Sequence, residues 1–376
     1  MKRYALFPLL SLALTACGGS GGESGETSTT PTPSAVEGKI QNVNGSTITV
    51  NNRPYQVAQM EYAGHNLSDE TLEANMMVSL KTSSRATSAN VQLDPTFTGK
   101  ITDINGKSFK VNGVELQFDR LSNKILEGDW VMVSTLPTAN AGYKVLSIIQ
   151  FEYDADGMVE AEGRISNLNV NNNTFKVGNS LTVLFDSQLL QNGKLRNGAW
   201  VEVFGTYNEF EGELTAETLK LKSFSGVLGR GETEGVITWV ANDQSRFELN
   251  YRGIFDIDPS TKFDDGSKAD LRLGAEVEVE YVNQAKRTIA KEIEFEDDFD
   301  FDVDWDKFEF ERKGIIENTN DVEQSFEVRG QKIFTDANTE FDDGLDFDFL
   351  EGEYVEVEGV IINGDYVARE IEREDD

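Results

Sequence analysis

The chain of 376 residues predicts an all-β protein of five tandem small β-barrels, set behind a leader and a flexible tether. Three observations carry that expectation. One motif is written five times along residues 36–374, each copy opens on a Gly-centred strand, and runs of alternating apolar and polar residues follow with Asn, Asp and Gly between them. Hydrophobic residues form 38% of the chain and aromatics 10%, enough to fill several small cores.

The first element is a leader over residues 1–16. Lys2 and Arg3 form a basic start, Tyr4 to Leu14 an apolar run interrupted by Pro8 and Ser11, and Leu14-Thr15-Ala16-Cys17 closes it. Such a run is too short to span a bilayer, which takes about 20 residues. Leu-Thr-Ala-Cys resembles the lipobox of bacterial lipoprotein signals. The resemblance implies cleavage before Cys17, lipid attachment to its thiol and, with Gly18 rather than Asp next, sorting to the outer membrane. It also accounts for a lone cysteine in an exported chain. Residues 17–35 follow as a Gly/Ser/Thr-rich tether with nothing to bury before Ala35, spanning roughly 20–25 Å as a flexible coil.

The repeats occupy residues 36–94, 97–152, 159–224, 232–296 and 312–374. Their first strands start alike: Glu37-Gly38-Lys39-Ile40, Thr98-Gly99-Lys100-Ile101, Glu162-Gly163-Arg164-Ile165, Glu234-Gly235-Val236-Ile237 and Lys313-Gly314-Ile315-Ile316. A turn leads to a second strand in each copy: Thr47–Val50, Ser108–Val111, Thr174–Val177, Arg246–Leu249 and Ser325–Val328. A third run follows, as in Val114 to Phe118. The fourth enters from a Gly turn with valines two apart, as in Trp200-Val201-Glu202-Val203, and is degenerate in the first copy at Met76 to Leu80. A fifth closes the unit, as in Ile289 to Phe295. Five strands in about 60 residues with one apolar face fit a small closed barrel. Closure removes edges that would otherwise invite pairing between copies. Each copy is therefore read as an independent OB-like barrel, with the motif Gly bending its first strand.

The fifth copy carries Thr339-Glu340-Phe341-Asp342-Asp343-Gly344, then Gly352 to Gly359 with Val355-Glu356-Val357, then Val367-Ala368-Arg369-Glu370-Ile371-Glu372. The fourth has Thr261 to Gly266, while the second and third keep only Phe118-Asp119 and Phe185-Asp186. This pattern resembles the bacterial domain of unknown function numbered 5666. The resemblance implies tandem OB-like units on an exported lipoprotein and brings no activity with it.

Charge narrows the function classes. There are 34 Lys and Arg against 67 Asp and Glu, a net −33, which argues against a nucleic-acid partner because phosphate-tracking surfaces need a basic patch. Residues 1–150 hold 12 bases and 13 acids, whereas residues 151–376 hold 22 and 54, so the acidity belongs to the later copies. One Cys and one His leave no disulfide framework or Cys/His zinc site and rest any histidine chemistry on His65, which is read as a surface or turn residue. Gly229-Arg230-Gly231 lacks the context of a phosphate loop and is read as a linker. Phe-Asp-Asp-Gly is read as a turn that favours Asp and Gly for backbone reasons.

The segment 297–311 is the remaining candidate. Ten of the eighteen residues 294–311 are acidic, and between Phe299 and Asp306 apolar and acidic residues alternate strictly. As a strand it would line Asp300, Asp302, Asp304 and Asp306 on one face about 6.5–7 Å apart, mutually repelling and open to a cation or a basic partner. Its spacing does not match an EF-hand loop. The expected protein is thus a membrane-anchored, non-enzymatic binding or scaffolding element of the outer membrane, on its periplasmic or surface face, with no cofactor. Its expected partners are a glycan, a cationic peptide or a basic protein. The alternatives are a Ca²⁺-binding protein working through the acidic segment and a carboxylate-dependent hydrolase.

Overall fold

A computed structural model describes residues 33–67, 72–81, 88–151, 157–189, 195–226, 229–284, 287–296 and 305–374. The first barrel is built from β1 (Ala35–Asn44), β2 (Thr47–Val50), β3 (Arg53–Tyr62), β4 (His65–Leu67), β5 (Met77–Lys81) and β6 (Ser88–Leu93). The second has β7 (Phe97–Asn105), β8 (Ser108–Val111), β9 (Val114–Gln117), β10 (Trp130–Pro137) and β11 (Tyr143–Gln150). The third has β12 (Met158–Asn169), β13 (Thr174–Val177), β14 (Leu181–Leu184), β15 (Trp200–Asn208) and β16 (Glu213–Lys222). β17 (Arg230–Val240), β18 (Arg246–Leu249), β19 (Gly253–Asp264), β20 (Glu276–Gln284) and β21 (Arg287–Phe295) make the fourth. The fifth comprises β22 (Glu309–Asn320), β23 (Ser325–Val328), β24 (Gln331–Phe334), β25 (Glu340–Phe341), β26 (Tyr354–Ile362) and β27 (Asp365–Arg373). Among the described residues no helix is long and apolar enough to cross a membrane.

The ladders give the OB strand order. In the third barrel β12 pairs antiparallel with β13 and β15, β13 with β14, β15 with β16, and the ring closes through a parallel β14–β16 ladder. The first, fourth and fifth barrels close likewise through parallel β3–β6, β19–β21 and β24–β27 ladders. The second barrel departs from this. Its β9 pairs with β8 and its β11 with β10, and among the described residues no ladder joins β9 to β11. The register of each closed ring points alternate residues inward, as in β13, where Phe175 and Val177 are buried and Thr174 and Lys176 are not.

The motif glycine does a different job from the one its position suggests. The irregularity of the first strand lies two or more residues beyond it, between Ile40 and Asn42 in β1 and between Ile237 and Trp239 in β17. At Gly235 an added Cβ would stand 2.3 Å from the Asn250 amide nitrogen, and at Gly38 it would stand 2.1 Å from the Asn51 amide oxygen. Each Asn ends strand two in the left-handed region and donates from Nδ2 to the carbonyl before the glycine: Asn51 to Glu37, Asn112 to Thr98, Asn250 to Glu234. The glycine thus makes room for a latch between strands one and two. The third barrel has Gly178 at the Asn position, and the Tyr143 hydroxyl of the second barrel donates to Glu162 O (2.9 Å) instead.

The barrels are not independent. β1 lies parallel to β17 over Ala35–Glu37 and Gly231–Thr233, and β7 lies antiparallel to β12 over Phe97–Thr98 and Glu160–Ala161. The second and third barrels share one core, which runs from Phe97 and Phe109 to Phe175 and Leu214. A separate apolar cluster of Ala141, Trp200, Trp239, Tyr251, Val360, Ile362 and Val367 joins the second to the fifth. First-strand edges are therefore covered by other first strands, a second way to remove an edge besides ring closure. Arg230 and Gly231, expected in a linker, belong to β17 and to that inter-barrel ladder.

Candidate functional site

The residues singled out from sequence alone separate at once. Cys17, Asp300, Asp302 and Asp304 lie outside the described residues. Trp305–Phe308 forms a 3₁₀ turn, so the expected strand does not continue through Asp306, whose side chain also lies outside the described residues. His65 is exposed at the start of β4. Asp265, Asp343 and Gly344 have positive φ, as the turn reading of Phe-Asp-Asp-Gly requires.

Charge converges instead where barrels meet. β1, β3, β5 and β6 of the first barrel, β12, β15 and β16 of the third, and the loop after β18 of the fourth enclose a polar cleft of about 440 Å³ lined by Glu37, Tyr62, Asp94, Glu160, Glu202, Lys222 and Arg252. Oxygens of Asp94, Glu162 and Glu202 lie within 4.8 Å of one another, a spacing suited to a metal ion. An ammonium stands there. Lys222 Nζ donates to Asp94 Oδ1 (2.7 Å) and Glu162 Oε1 (2.8 Å), with Glu202 Oε2 at 3.9 Å. Burial, reinforced by Asp94 and Glu202, pushes Glu162 up to about 8 against the pull of Lys222. Glu160, buried beside Glu162 and Glu202, lies well above the ordinary carboxylate range and accepts a 2.7 Å hydrogen bond from Tyr62 Oη. Arg252 Nη2 donates to Glu37 Oε2 (2.9 Å) and, despite burial, holds Glu37 down at about 2.

The outer face of the fourth barrel repeats the theme. Cross-strand rows Glu232–Glu280–Glu292 and Glu234–Glu278–Glu294 stack glutamates of β17, β20 and β21. The first barrel meets this face with Arg53 Nη2, 3.4 Å from Glu232, with Lys39 on Glu234, and with Asn52 Nδ2, which donates to Glu294 Oε1 (2.9 Å). Lys144 of the second barrel pairs with Glu276. Burial and the Glu232 and Glu294 carboxylates push Glu278 up to about 9. Part of the acidity that distinguishes the later copies is answered inside the molecule by the near-neutral early ones.

A second carboxylate group, Asp342, Glu370 and Glu372, also has metal-like spacing and also holds a cation. Arg246 of β18 reaches it, with Nη1 2.7 Å from Glu340, Nη2 2.6 Å from Asp342, and an ion pair to Glu370. Behind it sits the most buried ionic group of the chain among the described residues. Arg369 has no exposure, its Nε is 3.0 Å from Glu248 Oε1 and its Nη1 3.3 Å from Asp336 Oδ2, and Arg164 Nη2 donates to Asp336 Oδ2 at 2.7 Å. Three barrels contribute to that one network. Although buried, Asp336 is held below its ordinary value by Arg369 and Arg164, while burial pushes Glu248 up.

The third and fifth barrels also bound a cleft of about 800 Å³, with Arg164, Asn167, Asn169, Asn197, Val322, Phe334 and Asn363 among its walls. Strand order, closure and these junctions define a tandem OB-barrel protein. Residues 37–89, 156–220, 234–294 and 313–372 match the family model described as Domain of unknown function (DUF5666), and the chain belongs to that family. The matches fall on the first, third, fourth and fifth barrels, and the second, whose ring lacks a β9–β11 ladder, lies outside them. Comparison with curated proteins finds no match.

Lys222, Arg246, Arg252 and Arg369 escape sequence reading. Each lies in or beside a barrel strand and projects outward, where a basic side chain reads as solvated. Burial comes from a neighbouring barrel, and no spacing within one repeat signals it. Only the excess of acids over bases in residues 151–376, 54 against 22, hints that a base there lies within reach of a carboxylate.

Proposed function

We propose that this protein is a non-enzymatic, lipid-anchored binding element of the bacterial envelope, held at the outer membrane through Cys17 and presenting a body of fused barrels beyond its tether. One observation carries the non-enzymatic part of the reading: the two carboxylate groups with metal-like spacing among the described residues are each filled by a basic side chain of the protein, Lys222 in one and Arg246 in the other. These carboxylates are taken up in holding barrels together through Lys222 and Arg246. The leader and the Leu14-Thr15-Ala16-Cys17 pattern support the anchor. Metabolic labelling with a radioactive fatty acid tests it: the wild-type chain is expected to carry label and sediment with outer membranes, and Cys17→Ser to lose both. An unlabelled, soluble wild-type chain sinks the anchoring claim.

A further inference from the structure

We infer that the cleft between the third and fifth barrels binds an uncharged, polyhydroxylated ligand, a segment of a neutral oligosaccharide. The inference rests on the binding-element reading above and gives it a site and a ligand class.

The cleft is framed by the loops between strands one and two of both barrels, Leu168–Asn171 and Val322–Glu323, together with the β26–β27 turn at Asn363. OB barrels present oligomer ligands to these same loops. At about 800 Å³ it lies within the usual range for small-ligand sites, roughly 300–1,000 Å³. Six of its thirteen polar side chains are amides, and hydrogen bonds set the orientation of three of them. Asn197 Oδ1 accepts from Leu168 N (3.0 Å) and Asn169 Oδ1 from Asn171 N (3.1 Å), which leaves both Nδ2 groups as donors. Asn363 Nδ2 donates to Asn179 Oδ1 (2.7 Å), which leaves Asn363 Oδ1 as an acceptor. Fixed amide donors and acceptors pair with hydroxyl groups and have no preference for charge.

Two further observations point to a ligand. Val170 and Val322 stand at the two loop tips 63% and 94% exposed, giving apolar contacts for the C–H faces of sugar rings. The charge is close to neutral, a net −1 from Arg164 and Lys176 against Glu323, Asp336 and Asp365, in a chain of net −33. A cationic peptide would find more complement elsewhere, in the cleft of about 390 Å³ where Asp243, Glu311, Glu356, Glu358, Glu370 and Glu372 outnumber Lys313.

Isothermal titration of the full mature chain with maltohexaose, cellohexaose, N-acetylchitohexaose and hexalysine tests the assignment. At least one neutral hexasaccharide is expected to bind saturably. Asn169→Ala combined with Asn363→Ala, both at exposed positions, is expected to weaken it about tenfold or more while lowering the melting temperature by only a few degrees, and Val322→Glu to weaken it too. Three results overturn the proposal: no neutral hexasaccharide binds, binding ignores these substitutions, or hexalysine alone binds and the same substitutions abolish it. Assay of new reducing ends in the same samples separates the two readings. Cleavage of a bound sugar removes the non-enzymatic reading and leaves the site, whereas absent binding in a chain still lipidated at Cys17 removes the site and leaves the anchor.

Discussion

Two buried junctions hold the barrels together, and they differ in the ratio of cations to carboxylates. At the junction of the third, fourth and fifth barrels, Arg164 and Arg369 face Asp336 and Glu248, two against two. At that of the first and third, one ammonium, Lys222, serves Asp94, Glu162 and Glu202 with Glu160 beside them. Asp336, between two arginines, keeps its charge even though burial pushes its neighbour Glu248 up, whereas burial pushes Glu162, one of three acids on one lysine, up to about 8. Counting partners therefore says more about how an interface responds to pH than counting acids does.

The comparison can be broken at its balanced side first. Arg369→Met leaves Asp336 and Glu248 buried without their shared cation, and the expected loss is about 3–5 kcal/mol of unfolding free energy by urea denaturation at pH 7. A loss under about 1 kcal/mol would mean that the network adds little to docking. Lys222→Met is expected to cost roughly half as much at pH 7, because Glu162 and Glu160 already favour the protonated form, and less again at pH 5. Equal losses at both pH values would remove the distinction between the junctions.

The wild-type pH profile sharpens it further. Glu162 and Glu278 have folded values of about 8 and about 9 against an ordinary 4.5, so the folded chain binds more protons than the unfolded one between these limits. Their contribution is fully present below about 4.5 and is lost as pH rises through about 8 to 9. Glu37, held down at about 2, works the other way, losing its contribution as pH falls through about 2. The melting temperature is expected to peak near pH 5–6 and to fall by roughly 5–10 °C toward pH 9. Glu162→Gln has the smallest expected effect, a shallower alkaline decline of a few degrees with little change at pH 5. A flat profile from pH 5 to 9 in the wild type would contradict the raised values.

Much of the fold was legible. The second strand of every copy, from Thr47–Val50 to Ser325–Val328, is read to the residue, because a four-residue alternating run between two turns has one register that buries its apolar face. The motif glycines were legible as special and misassigned in role, since the Asn that needs their space, such as Asn250 for Gly235, sits a strand away. The site was scarcely legible. The acidic strip around Asp300–Asp306 stands out by composition, whereas Arg369 and Lys222 gain their meaning from barrels distant in sequence. Alternation reports which side of a strand faces its own core and is silent on what covers the other side.

The β1–β17 ladder has a consequence for how the chain comes into being. Ala35–Glu37 wait for Gly231–Thr233, about 200 residues downstream, so a chain emerging amino terminus first completes the first ring well before its outer edge is covered. The third barrel has the opposite schedule. Its latch, Tyr143, emerges ahead of it, so that ring closes onto a partner already made. During emergence the exposed β1 edge is the place where a chaperone, or the β1 edge of another nascent copy, would find its hold.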